Sequence, residues 1–483
     1  MRTGIALILI QVALSACSSL DFFQYRENTG LYVVEKPDGY GTSKFGTQIA
    51  VSGNAEEEYM AISAGPATSS LFYRLSRDGK MQDASDYFLD YPGDATEFVS
   101  IDAVTRTSGS ALAGLPLFAQ DGQRIDGCTA VGEPGVSEIT LWCSSLDGHT
   151  TIEGDRSLSN FGSVLSTIRL DGGTQFLLIG GGTNGFQLFG DIIDGTGRRS
   201  VMVELPDRAE LQALSGGRLD GDPGAKPLYV AAGTTSDDGL SFEVYLYEQS
   251  GTDFETFEQI GCLQNEDNAG FGGVLLSRDL DSDGVDELIV GSADGTTPHK
   301  NEVRIFDVAA IAAALNGESS CIDISSTELP TLATIGPEDG DFDVECADDC
   351  GFGASLAVGD IATDDDGPEL VIGAYHADVE GTSDAGAVYI FRGFERTESD
   401  DSDTFAHIDL ASQVFDSTPE SGKAFGAALE IAPIAGRNEL LISATGEGKV
   451  FIAFCTGVGE DIRQGADVPR DAEGKVVSTR CRL

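Results

Sequence analysis

Positive charge is scarce in this chain: 29 Lys and Arg stand against 80 Asp and Glu, a formal net charge of −51 at pH 7. Such a surface repels nucleic acid and anionic head groups, and it argues against a nucleic-acid partner. Histidine is scarcer still, with four residues, at 149, 299, 376 and 407. None has ligand spacing to a cysteine pair, which leaves a zinc site without support. Past the N-terminus, no apolar run reaches the ~18 residues of a membrane-spanning helix. No Pro- or Ser-rich linker divides the 483 residues into obvious domains. Gly-x-Ser-x-Gly, His-Glu-x-x-His and a phosphate-cradling loop are all missing. The acid is spread along the chain, and 41% of residues are hydrophobic, so a buried core is expected rather than disorder.

The N-terminus sets the expected compartment. Arg2 precedes an apolar stretch, residues 5–14, interrupted only by Gln11, and then Leu14-Ser15-Ala16-Cys17. A positive start, a short apolar run and small residues before a cleavage point make a secretory signal. The Leu-Ser-Ala-Cys ending resembles the lipobox of bacterial lipoproteins. That resemblance implies removal of residues 1–16, lipidation of Cys17, and a tether over 17–40 before the body at 41–483. Ser18, rather than Asp, after the cysteine implies the outer membrane, with the acyl chains as the membrane contact.

Apart from Cys17, eight cysteines remain: Cys128, Cys143, Cys262, Cys321, Cys346, Cys350, Cys455 and Cys481. An even number suits an oxidising compartment, although eight cysteines allow 105 pairings. Pairing neighbours keeps each bridge inside one local unit. The expectation is therefore 128–143, 262–321, 346–350 and 455–481.

The body repeats. Each unit reads Phe-Gly, a short apolar strand, an acidic turn, then an apolar strand ending in Gly or Ala. The clearest copies are GFGGVLLSRDLDSDGVDELIVGSADG at 270–295 and GFGASLAVGDIATDDDGPELVIGAYHAD from 351. The Phe-Gly phenylalanines are Phe45, Phe161, Phe271, Phe352 and Phe425, spaced by 116, 110, 81 and 73 residues. The first two intervals are about double a unit, so each hides a worn copy. One starts near TEFVSIDAV, and the other is LQALSGGRLDGDPGAKPLYVAAG. Five plain and two worn copies predict seven four-stranded units, each too thin to bury both faces unless ringed with its neighbours. A β-sandwich array or a β-solenoid is the alternative. Only IFDVAAIAAALNG, around Ile311, reads as helical.

The Phe-Gly strand, Asp-rich turn and Leu-Ile-Val-Gly-Ser strand resemble the FG-GAP repeat of integrin α subunits and many bacterial surface proteins. The resemblance covers nearly all of the mature chain. It implies an all-β fold, a seven-bladed β-propeller of the FG-GAP, integrin α N-terminal type, with calcium loops on some blades. The usual Gly-Ala-Pro ending is altered here to GSA, GAY, GGG or SAT.

Asp279-Leu-Asp281-Ser-Asp283-Gly-Val285-Asp286-Glu287 is the sharpest motif. Oxygen ligands at alternating positions of a tight turn, with Gly at the bend, build a cage for a hard cation such as calcium. Asp279, Asp281 and Asp283 supply carboxylates, Val285 its carbonyl, and Glu287 the ninth position, with Asp286 able to substitute. An EF-hand is excluded because ELIVG is a strand and the twelfth position is Val290. The remaining alternative is an acidic turn without metal. A weaker second site is Asp360, Asp364, Asp366 and Glu369, whose spacing is broken by one extra residue. Neither the histidines nor any named carboxylate pair marks an active site. The expected function is therefore a non-enzymatic, calcium-stabilised binding or adhesion module, probing a protein or glycan ligand as a monomer. A hydrolase on a propeller scaffold and a scaffold subunit of an envelope complex are the alternatives.

Overall fold

In a computed structural model of the chain, the described residues are 31–36, 45–53, 58–64, 70–77, 87–90, 111–115, 128–143, 149–170, 175–190, 199–206, 210–219, 228–235, 242–250, 256–268, 270–292, 301–315, 320–327, 329–337, 344–346, 350–361, 367–379, 381–396, 404–414, 420–434 and 437–453. They form a β-propeller of small antiparallel sheets. Strand β1 (Leu31–Glu35) comes first in the chain but belongs to the last sheet. One sheet is β2 (Phe45–Gly53), β3 (Glu58–Ala64), β4 (Ser70–Arg77) and β5 (Tyr87–Asp90). The next is β6 (Leu112–Leu115), β7 (Cys128–Glu133), β8 (Glu138–Cys143) and β9 (His149–Glu153). It is followed by β10 (Ser159–Leu170), β11 (Gln175–Thr183), β12 (Gly185–Gly190) and β13 (Arg199–Glu204).

The central part of the chain is less regular. Strands β14 (Glu210–Arg218), β15 (Leu228–Thr235), β16 (Phe242–Ser250) and β17 (Thr256–Gln264) form a sheet. Then β18 (Phe271–Arg278), β19 (Glu287–Ser292) and β20 (Val303–Phe306) begin another. Helix α1 (Val308–Leu315) and the two-residue β21 (Ile322–Asp323) intervene before its last strand, β22 (Ala333–Ile335). A small pair, β23 (Val344–Glu345) with β26 (Asp378–Val379), flanks the sheet of β24 (Phe352–Gly359), β25 (Glu369–Ala374), β27 (Ala387–Arg396) and β28 (Phe405–Val414). Finally β29 (Phe425–Ile434), β30 (Arg437–Ala444) and β31 (Lys449–Ala453) are completed by β1, which pairs antiparallel with β31.

The expectation of seven four-stranded blades is corrected: six sheets have that form. The sheet of β14 to β17 instead carries a fifth strand, because β21 leaves its own unit and pairs in parallel with β17, Leu263 against Ile322. Strand β1 lies within residues 17–40 and pairs with β31 in the last sheet. Residues 1–30 and 454–483, which hold Cys17, Cys455 and Cys481, lie outside the described residues.

The first strands of successive sheets touch around a ring: β2 with β6, β6 with β10, and so on through β14, β18, β24 and β29 back to β2. The second strands are covered on both faces, so β19 (ELIVGS) and β25 (ELVIGA) are buried along their whole length. That is why they read as continuous apolar runs rather than alternating ones.

The Phe-Gly motif has a plain cause. All five phenylalanines are buried at 0–1% exposure, each worth about 1.5–3 kcal/mol of transfer free energy. The glycine that follows begins the bulge in the first strand and adopts positive φ, 89° at Gly272, where a side chain is strained. A Cβ on Gly272 would run into Val244 of the preceding sheet, and one on Gly233 would run into the Gly272 carbonyl. The motif is thus the seam between blades.

Two disulfides stand among the described residues, Cys262–Cys321 and Cys346–Cys350. Cys128 is also disulfide-bonded and faces Cys143 directly across the β7–β8 ladder. Cys262–Cys321 does not stay inside one unit as expected: it joins β17 to the insertion that leaves the following sheet.

Candidate cation site

The acidic turn connects β18 to β19, whose ladder closes at Arg278 opposite Glu287. Ser282 and Gly284 take positive φ, 63° and 93°, which curls the backbone inward. Each aspartate then anchors one backbone amide. Gly284 N–H donates to Asp279 Oδ2 at 3.0 Å, Asp283 N–H to Asp281 Oδ1 at 3.2 Å, and Val285 N–H to Asp283 Oδ1 at 2.7 Å. One carboxylate oxygen from each of Asp279, Asp281 and Asp283 lies within 4.8 Å of the others. Asp279 Oδ1 is buried without a hydrogen-bond partner. Burial raises the pKa of Asp279 and of Asp281 from the ordinary aspartate value. Three clustered carboxylates in a curled turn, with Asp279 Oδ1 buried and unsatisfied, offer the hard oxygen donors that calcium takes.

The other two side chains named from the spacing stand differently. Glu287 is fully buried; its Oε2 accepts from Leu280 N–H at 2.8 Å and its Oε1 from Arg396 Nη2 at 2.6 Å. Burial pushes its carboxyl up to about 8. Asp286 turns to the preceding sheet, where its Oδ2 accepts from Arg218 N–H at 2.7 Å and Arg218 Nε at 3.2 Å. Tyr229 Oη donates to the Asp286 carbonyl at 3.0 Å.

The two arginines were not legible in the motif. Arg218 ends β14 and also lies 3.7 Å from Asp279 Oδ2. Arg396 ends β27, in the next sheet, and binds Asp281 Oδ2 through Nε at 2.5 Å and Asp307 Oδ2 through Nη1 at 3.0 Å. Its Nη2 is 3.6 Å from Asp283. The turn is therefore gripped from both sides. A hint for Arg218 exists, since it closes its first strand as Arg278 does in the next unit; Arg396 leaves no such trace.

At the weaker site, Asp364 and Asp366 lie outside the described residues. Glu369 is buried and accepts from Ile361 N–H at 2.8 Å, the same turn-closing role that Glu287 has toward Leu280. The Asp360 carbonyl accepts from Asn438 Nδ2 at 2.9 Å. Among the histidines, His376 Nδ1 lies 3.1 Å from Asp384 Oδ1 on an exposed loop, its ring 4.3 Å from that of Tyr375. No known protein family matches the chain, and no curated protein matches it closely enough to count as a relative.

Proposed function

We propose that this protein is a lipid-anchored envelope protein whose propeller is a non-enzymatic binding or adhesion module, steadied by calcium at the β18–β19 turn. The observation that carries the calcium half is the Asp279, Asp281 and Asp283 cradle with its buried, unsatisfied Asp279 oxygen. The buried Phe-Gly seams support the FG-GAP reading, because they give the repeated motif the inter-blade role such a repeat needs. A ring of sheets gathers loops from every unit on one face, a natural surface for recognising a protein or glycan. Fold alone does not name that ligand.

The test uses the mature body without its lipid, offered to intact envelopes with calcium and with EDTA. Calcium-dependent retention of a specific protein or glycan supports the module. Equal background capture in both arms overturns it. Fractionation of a Cys17→Ser form tests the anchor, which is lost if the mutant still sediments with membranes.

A further inference from the structure

The cradle already holds a positive charge of the protein's own. Arg396 reaches it from the adjacent sheet, 115 residues from Asp281 in sequence, and takes Asp281 Oδ2 and Glu287 Oε1 with a forked guanidinium. Asp281 and Glu287 side chains are 6% and 0% exposed, so these are nearly dry contacts. Its third nitrogen holds Asp307, whose other oxygen accepts from Ala310 N–H and so caps α1. Arg396 therefore has a second anchorage outside the cradle.

We propose that Arg396 is a tethered competitor for the cation site: its guanidinium and a divalent cation cannot both occupy Asp281 Oδ2 and the space beside Asp283. The inference rests on the calcium reading above. Calcium entry swings Arg396 back onto Asp307 and frees Glu287 Oε1, the oxygen that the motif spacing assigns as a ligand. Occupancy is thereby coupled to the seam between two sheets, because a charged link from β27 to the β18–β19 turn is exchanged for an ion held within that turn. A competitor that fills the site most of the time lowers apparent affinity by the fraction of time the site is open.

The experiment is calorimetric titration of calcium into the mature body, carried out on wild type, Arg396→Gln and Arg396→Lys, with circular dichroism in EDTA confirming that each is folded. Removing the competitor is expected to tighten calcium binding by about tenfold or more in Arg396→Gln. Arg396→Lys, which keeps the charge and loses the fork, is expected to fall between. Equal or weaker binding by Arg396→Gln, with wild type still binding, overturns the competition alone. Absence of calcium binding in all three forms overturns the calcium reading and the competition with it. If Arg396→Gln does not fold, the Lys variant decides by the same comparison.

Discussion

Cys262 on β17 is bonded to Cys321, 59 residues further along, immediately before the strand that joins β17 in parallel. The bond fastens the insertion carrying α1 onto the preceding sheet. A loop of this length, closed in the unfolded chain, is worth about 4 kcal/mol in chain entropy. The double variant Cys262→Ala with Cys321→Ala should therefore melt several degrees lower while keeping its β-sheet spectrum. An unchanged melting temperature would show that the strap constrains nothing.

Phe271 and Gly272 test the seam. Phe271 is buried and meets Phe306 edge to face at 6.3 Å, so Phe271→Ala should cost about 3–5 kcal/mol. Gly272 and Gly393 both have positive φ, 89° and 76°, but a Cβ would clash only at Gly272 and meets nothing at Gly393. Gly393→Ala should cost about 1–2 kcal/mol, the backbone penalty alone. Gly272→Ala should cost clearly more in denaturant unfolding. Equal costs would remove the seam from the explanation of the motif.

These positions were legible because each obeys a one-residue rule: a fully buried ring, then a backbone that only Gly adopts freely. The same holds for Asp279, Asp281 and Asp283, whose convergence follows from alternate spacing in one turn. Pairing across sheets leaves no such local mark. Nothing in the two residues Ile322 and Asp323 announces a parallel strand, and so the five-stranded sheet was missed. Arg396 sits in the unremarkable stretch GFERTE and meets the turn only because two sheets are neighbours. Glu287 was read as a ligand by counting, and neither its bond to Leu280 nor its partner Arg396 leaves a mark in the motif.

The cradle also makes a stability prediction. Without a cation, burial and the charge of the neighbouring Asp283 raise the pKa of both Asp279 and Asp281, so the empty turn is electrostatically unfavourable. A ligand that binds only the folded state adds about 2.7 kcal/mol at a hundredfold excess over its Kd. EDTA should lower the melting temperature, and calcium should restore it better than magnesium, which demands stricter geometry. Asp281→Ala should abolish most of the response. A wild-type melting curve indifferent to both EDTA and calcium would leave only an acidic turn.

Glu430 carries the last prediction. It lies on β29, an innermost strand, enclosed by protein yet still touching solvent. Burial pushes its carboxyl up to about 7, opposed by the positive charge of Arg278 on β18. A carboxyl whose folded pKa lies above its unfolded value near 4.5 binds its proton more tightly in the native state. Its contribution is therefore most favourable below pH 4.5, falls as pH rises from about 4.5 to 7, and levels off above. The slope is at most roughly 1 kcal/mol per pH unit, and residual solvent contact reduces it. Glu430→Gln keeps the shape and cannot ionise. The measurement is chemical unfolding of both forms from pH 4.5 to 8, taken as a difference so that the other carboxylates cancel. The variant should gain on wild type steadily as pH rises through this window, by on the order of 1–2 kcal/mol in all. A difference that stays flat across the window would mean that Glu430 ionises in the native protein as readily as in the unfolded chain.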